Sequence, residues 1–173
     1  MAWAKKERRQ VPMDALQNTL TIASFGVACI GCVVGFVLCR GAVGGKYLDQ
    51  VCSLKKAQEI VDGLSQGQAK KHLLVTCCLD TAFPVCYGLF LAGLALRVSP
   101  LHGVPSVLPA LFAVLSDFCE NATHVLAIKS GKVPRLKPLF SILKCIFLSV
   151  ALWLLLLSFL GITFCSTGLA TTL

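Results

Sequence analysis

Four long apolar stretches constrain this chain more than any other feature of its sequence. Each stretch reaches the length of about 20 residues that a helix needs to cross the hydrocarbon layer of a bilayer. Of the 173 residues, 56% are hydrophobic and only 14% are charged, which exceeds what a soluble domain of this size can bury. We therefore predict an all-α, multi-pass membrane protein. The predicted transmembrane helices cover about residues 15–39, 73–96, 105–128 and 138–164.

The third of these stretches is the least regular because polar residues interrupt it. Asp117 and Glu120 lie near its centre, and a carboxylate at that depth costs about 2.5 to 3.5 kcal/mol on membrane-insertion scales. A re-entrant hairpin is therefore the alternative to a complete crossing at this point.

The segment between the first two spans repeats apolar residues at close to helical spacing from Leu48 to Leu64. This pattern predicts one amphipathic helix over about residues 46–64. Its lysines suit a surface of anionic lipid head groups, but acidic residues dilute the basic face, so the helix either lies in the membrane interface or caps the bundle. No repeat or linker divides the sequence, and residues 1–173 are predicted to form a single domain.

The basic residues lie outside the spans, which decides how the net charge of +8 is interpreted. No aromatic and basic residues alternate as a nucleic-acid surface requires, so the expected partner is the lipid bilayer and nucleic acid is excluded. The first and third loops together carry more Lys and Arg than the two termini and the second loop. This distribution predicts that the first and third loops are cytoplasmic, although the basic N-terminal tail favours the opposite orientation.

Small residues in the spans indicate where helices pack. Gly31 and Gly35 form a G-x-x-x-G pair, and Gly88 with Ala92 forms a similar pair, which allows two helix backbones to approach closely. Most of the ten cysteines also lie in the spans, where they act as small apolar residues. The C-I-G-C motif is not interpreted as a redox site, because no strand or soluble fold surrounds it. No cofactor is predicted.

Polar residues on the second and third spans each fall on one helix face. At 100° per residue, the four polar residues between Asp117 and His124 lie within an arc of about 100°. On the second span, Thr76, Asp80 and Tyr87 also share a face with Pro84. Proline has no N–H, so the Asp80 carbonyl is expected to be a free acceptor on that face.

The two polar faces are predicted to meet at the same depth. At 1.5 Å rise per residue, Asp80 and Asn121 both lie about 10 Å below the same interface, and Lys144 on the fourth span is the expected countercharge. The candidate binding pocket between spans two, three and four consists of Asp80, Tyr87, Asp117, Glu120, Asn121, His124 and Lys144.

The chemistry of this pocket has two main interpretations. Asp80, Glu120 and Lys144 could form an ion-paired staple that fixes the register of the helices. Alternatively, the pocket could hold a cation, a proton or a polar head group, because one lysine cannot neutralise three carboxylates. The spacing D-x-x-E-x-x-x-H matches neither di-iron nor zinc-protease motifs, so a loosely held hard cation fits better than a dedicated transition-metal centre, and the metal is left open.

Two short motifs resemble a loose group of small four-span membrane proteins. These are "LDTAFPVCYG" at Leu79–Gly88 and "LSDFCENA" at Leu115–Ala122. The group carries an acidic residue before an aromatic residue and Tyr-Gly on one helix, then D-x-x-E-N on the next. The resemblance implies the four-helix architecture and no particular activity.

Three classes of function follow from the sequence. The first is a non-enzymatic subunit or scaffold, in which the pocket is structural and the partners are a second copy or other membrane proteins. The second is a cation- or proton-binding or transport protein, and the third is a lipid-modifying enzyme that uses carboxylates as acid and base. No catalytic residue is assigned, and an enzyme is less favoured than a binding or structural role. The sequence leaves the host membrane open.

Overall fold

A computed structural model describes residues 18–98 and 104–169, and this part of the chain is all-α, as predicted. The predicted start of the first span at residue 15, the N-terminal tail, residues 99–103 and residues 170–173 lie outside the described residues. The helices are α1 (Thr19–Cys39), α2 (Leu54–Asp62), α3 (Gln66–Val98), α4 (Val104–Ser130) and α5 (Lys137–Leu169).

Four of the five α-helices in the described part of the chain, α1, α3, α4 and α5, are long and apolar enough to cross a membrane. Helix α3 has 33 residues, which is about 50 Å at 1.5 Å per residue, whereas the hydrocarbon layer is only about 30 Å thick. The first turns of α3, which carry Lys70 and Lys71, therefore extend beyond the layer. The architecture is that of an integral, multi-pass membrane protein.

Local hydrogen bonds set the helix ends. Asn18 caps α1, because its side-chain oxygen accepts from the Leu20 N–H at 2.9 Å. At the start of α3 the Ser65 N–H donates to Gln68 Oε1 at 3.0 Å, and the Gln68 N–H donates to Ser65 Oγ at 3.3 Å. This reciprocal pair is a capping box, which satisfies N–H groups that have no partner inside the helix.

The bundle is organised around α3, which packs against both α1 and α4, while α4 also packs against α5. The buried apolar core between these helices consists of Tyr87, Leu91, Ala110, Ala113 and Ala151. The apolar residues of α1 and α5 are largely exposed, as expected for surfaces that face lipid tails. Because α1 packs mainly on α3 and α5 packs mainly on α4, a gap remains between α1 and α5.

The small residues of the spans differ in how closely they pack. A Cβ atom on Gly88 would collide with Val114 Cγ2, so α3 and α4 are in close contact there. A Cβ atom on Gly35 would lie 3.1 Å from the Leu79 side chain, whereas one on Gly31 would meet nothing within 4 Å. Gly88 and Gly35 are therefore packing positions, and Gly31 is open.

The segment between α1 and α3 is not one helix over residues 46–64. A short 3₁₀ helix covers Leu48–Gln50, Val51 is extended (φ −128°, ψ 112°), and α2 covers only Leu54–Asp62. The extended Val51 directs its carbonyl at the Lys137 ammonium group, from which it accepts a hydrogen bond, so a tertiary contact takes the place of a continued helix there. The loop is thereby fixed to the start of α5.

Helix α2 caps one end of the bundle. Gln58 Nε2 donates to the Gly131 carbonyl at 2.8 Å, and the Val133 N–H donates to Gln58 Oε1 at 2.9 Å. One side chain thus joins the first loop to the third loop. This contact places both loops at the same end of the bundle, as a four-span topology requires.

Candidate functional site

The polar faces of α3 and α4 meet inside the bundle. The Tyr87 hydroxyl donates to Asp117 Oδ2 at 3.0 Å, and Asn121 Nδ2 donates to the Asp80 carbonyl. All four residues are buried. The two helices are antiparallel neighbours with these residues level, which is the arrangement that their matched depths predict.

The bond between Asn121 and Asp80 follows from a proline. In a regular helix the Asp80 carbonyl would accept from the N–H of residue 84, but Pro84 has none. Asn121 supplies the missing donor from the neighbouring helix. This contact satisfies a backbone acceptor that would otherwise be costly inside a membrane.

His124 lies between two carboxylates on different helices. Its Nδ1 is 3.8 Å from Asp80 Oδ2, and its Nε2 is 3.7 Å from Glu120 Oε1. Neither distance is that of a hydrogen bond. The imidazole, which is almost completely buried, therefore lies between Asp80 of α3 and Glu120 of α4 and forms ion pairs with them only when it is protonated.

Glu120 is the centre of a closed ion-pair cluster. Its side chain is fully buried, Oε1 lies 3.1 Å from Lys137 Nζ, and Oε2 lies 2.7 Å from Lys144 Nζ. The Ser141 hydroxyl also donates to Oε1. We call Glu120, Lys137, Ser141 and Lys144 the Glu120 cluster; it joins α4 to the first turns of α5.

Lys144 extends this cluster to two further carboxylates. Its ammonium group donates to Asp49 of the first loop and lies 3.4 Å from Asp117 Oδ1. The predicted pairing of Lys144 with Glu120 is present. No ion pair joins Lys144 to Asp80 among the described residues, and the basic group within 4 Å of the Asp80 carboxylate there is the imidazole of His124.

Two members of the Glu120 cluster, Lys137 and Ser141, and the Asp49 carboxylate that pairs with Lys144 were not identified as site residues from the sequence. Asp49 was assigned to the amphipathic loop helix, and Lys137 was counted as a loop charge. The sequence could have indicated the two residues of α5, because residues 137, 141 and 144 share one helix face at spacings of four and three. Nothing local marks Asp49, which reaches the site only because the loop folds back over the bundle.

We call the Glu120 cluster together with Asp49, Asp80, Asp117 and His124 the polar group. A cavity of about 760 Å³ opens beside this polar group, in the gap between α1 and α5. Its walls are largely apolar and come from α1, α3 and α5: Ile30, Val33, Val37, Phe90, Leu148 and Leu152. Its polar end is formed by Asp49, Asp80, Asp117 and Lys144. Glu120 does not line the cavity, so the polar residues divide into an enclosed part and a part that faces open space.

Four aromatic rings line the same cavity near its polar end. Phe36 contacts Tyr47 and Phe83 edge to face, with ring centroids 5.5 Å and 6.1 Å apart, and Phe83 contacts Tyr87 at 5.4 Å. Edge-to-face contacts hold such rings in defined orientations. A continuous aromatic wall therefore stands next to the carboxylates.

Tyr47 closes this wall from the loop side. Burial raises the pKa of its hydroxyl above the usual range, so the group stays protonated, and it donates to the Phe36 carbonyl at 2.6 Å. That carbonyl lies at the end of α1, where the Arg40 N–H donates to Val37 instead. Tyr47 thus caps α1 and positions the loop residues that follow it.

The polar group carries more negative than positive formal charge. Four carboxylates (Asp49, Asp80, Asp117 and Glu120) face two ammonium groups (Lys137 and Lys144), with His124 as a third cation only when it is protonated. One oxygen from each of Asp49, Asp80 and Asp117 lies within 4.8 Å of the other two. The excess negative charge is concentrated on the cavity side.

Comparison of the chain with protein-family models, with curated proteins and with solved structures gave no match.

Proposed function

We propose that this multi-pass membrane protein is a non-enzymatic binding protein for an amphiphile with a cationic head group. The observation that carries the proposal is the composition of one cavity, whose polar end has three aspartates against one lysine and whose walls are apolar and aromatic. Its volume of about 760 Å³ lies within the range of about 300 to 1,000 Å³ that is typical of small-molecule sites.

The charge of the site supports a cation as the head group. Lys144 is shared among Asp49, Asp117 and Glu120, whereas the imidazole of His124 is the one basic group of the described residues within 4 Å of the Asp80 carboxylate. A cationic head group beside Asp80 would reduce this excess of negative charge in a poorly solvated place. The aromatic wall of Phe36, Tyr47, Phe83 and Tyr87 favours amines and quaternary ammonium groups in particular, because ring faces attract cations.

The position of the cavity supports an alkyl chain as the remainder of the ligand. The cavity lies between two lipid-facing helices, and its apolar walls come from the mid-membrane parts of α1 and α5. An amphiphile could therefore enter from the bilayer with its head group directed toward the aspartates.

The Glu120 cluster has a different role in this proposal. Glu120 and Lys137 are fully buried, lie outside the cavity and hold α4, α5 and the first loop together. We assign to this cluster the structural function of a staple, so that one polar group both fixes the bundle and offers a binding surface.

An inorganic cation is a second candidate, favoured by the three aspartate oxygens that lie within 4.8 Å of one another. Hard cations prefer such oxygen ligands. Lys144 already contacts Asp49 and Asp117, so a metal ion would have to compete with this ammonium group. The amphiphile is preferred because it also accounts for the apolar and aromatic walls.

A direct binding measurement tests the proposal. The purified protein in a neutral maltoside detergent is titrated with octyltrimethylammonium, with octyl sulfate and with Mg²⁺ or Ca²⁺, and thermal stability and native mass spectra are recorded. We expect the cationic amphiphile alone to stabilise the protein, because a ligand that binds only the folded state raises its stability. Asp80→Asn should weaken this binding about tenfold.

Asp62→Asn is the matched control, because Asp62 is an exposed carboxylate of α2 outside the cavity lining, and an asparagine oxygen can still accept the hydrogen bond from Gln58. It should leave the affinity unchanged. Equal stabilisation by octyl sulfate would rule out a cation-selective site, and a response to the metal ions alone would favour the second candidate.

A further inference from the structure

A second cavity lies at the loop end of the bundle and differs in charge from the first. It has a volume of about 650 Å³ and lies between the end of α1, the following turn, α2 and the start of α3. Only Tyr47 and Gln50 border both cavities. The polar groups around this second space, which we call the basic cavity, are Arg40, Lys46, Gln50, Lys56, Glu59 and Gln68.

The basic cavity has an excess of positive charge. Among the residues that the structure describes, three cations line it against one carboxylate, that of Glu59. Within residues 18–98 and 104–169, neither Arg40 nor either of the two lysines forms an ion pair with an acidic side chain. The three charges come from three segments of the chain, and among the described residues none of them is ion-paired with the nearby carboxylate of Glu59.

The guanidinium group of Arg40 is held in a fixed position. Its Nε donates to the Gly45 carbonyl at 2.9 Å, across a turn in which Gly44 and Gly45 have φ values of 88° and 83°. Only glycine adopts this backbone without strain. The bond uses one of the five N–H groups of the guanidinium and leaves its planar end for a ligand.

Gln68 contributes an oriented donor. Its Oε1 accepts from the Ser65 N–H in the capping box at the start of α3, so its amide NH₂ group is the end that can donate to a ligand. That Nε2 would lie 3.4 Å from a Cβ atom on Gly44, at the wall of the basic cavity. The cavity is therefore rich in donors whose directions are set by the local fold.

The location of the basic cavity matches the depth of lipid phosphates. It lies where α1 ends and α3 begins, beside the end of the membrane-spanning region rather than within it. Phosphate groups of membrane lipids occupy this interfacial layer. Arg and Lys recognise phosphate oxygens through charge-assisted hydrogen bonds.

We propose that the basic cavity binds the phosphate group of an anionic ligand, with Arg40, Lys46, Lys56 and the Gln68 amide as its contacts. The phosphate could belong to a lipid head group or be free in solution. The two sources share this chemistry and are separated by experiment. The proposal is independent of the cationic amphiphile, because it concerns another cavity of opposite charge.

The test uses the full chain in maltoside detergent and three probes. These are dioctanoyl phosphatidic acid, inorganic phosphate and the uncharged dioctanoylglycerol, with affinity measured by calorimetry and native mass spectrometry. The variant K46Q/K56Q removes two charges from the cavity. The control K70Q/K71Q removes two charges from the exposed start of α3, outside the cavity lining.

We expect the wild-type protein to bind phosphatidic acid and not dioctanoylglycerol, with affinity at least about tenfold weaker in K46Q/K56Q and within about twofold of wild type in K70Q/K71Q. Glu59→Gln should strengthen binding, since it removes the only carboxylate of the cavity. A gain in affinity cannot result from unfolding, so this second variant separates an effect on binding from an effect on the fold.

The outcomes are distinct. Tighter binding of phosphatidic acid than of inorganic phosphate supports a lipid head group, and equal binding supports free phosphate. The proposal is overturned if wild type binds neither phosphate probe, or if both double variants lose affinity equally, because the attraction would then be non-specific. Asp80→Asn should leave phosphate binding unchanged, which keeps this result separate from that of the cationic amphiphile.

Discussion

Lys137 Nζ lies 3.1 Å from Glu120 Oε1, and both side chains are completely enclosed. Lys137 opens α5, while Glu120 lies in the middle of α4. The same ammonium group donates to the Val51 carbonyl of the first loop. A single buried cation therefore joins two spanning helices and a loop.

The first prediction concerns this cation. Lys137→Met should lower the free energy of unfolding by about 3 kcal/mol, because it leaves part of the charge on Glu120 and the Val51 carbonyl without a partner in a buried site. Thermal and denaturant unfolding of the purified protein in detergent measure the loss. Lys129→Met, at an exposed lysine in the last turn of α4, is the control and should change stability little. Equal effects of the two substitutions would contradict a structural role for Lys137.

The second prediction uses the proline of α3. Asn121→Ala should destabilise the protein by about 1 to 3 kcal/mol, because the Asp80 carbonyl then has no donor. In a Pro84→Ala background the same change should cost less than half as much, since residue 84 regains an N–H that can bond to Asp80. A double-mutant cycle of unfolding free energies measures this coupling. An identical cost in both backgrounds would show that the Asn121 bond does not compensate for the proline.

The third prediction concerns helix packing. Gly88→Ala should destabilise the bundle by about 1 to 3 kcal/mol, because its methyl group would collide with Val114 and separate α3 from α4. Gly31→Ala is the matched control in a spanning helix, since its methyl group would meet nothing within 4 Å. Melting temperatures in detergent compare the two. The packing assignment fails if Gly31→Ala lowers the melting temperature as much as Gly88→Ala.

The fourth prediction concerns orientation. Gln58 ties the first loop to the third, and we propose that this end of the bundle is cytoplasmic because the two loops carry most of the basic residues. A topology reporter inserted at Gly131 should then be cytoplasmic, and one inserted within residues 99–103 should lie on the opposite side. Reporters on the same side would remove one crossing from the topology, and exchanged sides would reverse the orientation.

The sequence determined the architecture because insertion into a bilayer depends on local composition. A stretch of about 20 apolar residues must cross as a helix, since no water satisfies its backbone there. The same reasoning explains why the polar face of α4 could be predicted to be buried. The sequence alone also predicted that the Asp80 carbonyl lacks its usual partner within the helix, because proline at position 84 has no N–H.

The tertiary structure decided which charges meet. Asp49 and Lys137 were both assigned to loops, yet the fold brings Asp49 onto Lys144 and encloses Lys137 against Glu120. Their pairing depends on how the first loop folds over the bundle, and no periodicity within the loop encodes that path. The predicted helix over residues 46–64 is interrupted at a tertiary contact of this kind, since the Val51 carbonyl bonds to a residue 86 positions away.

The division of the polar group into an enclosed staple and an open binding surface is also a property of the tertiary structure. A helical wheel places Asp117 and Glu120 on one face and does not distinguish them. In the folded chain Asp117 lines the cavity between α1 and α5, while Glu120 lies behind it among cations. Helix packing left that gap, because lipid-facing helices have no hydrophobic force that closes it.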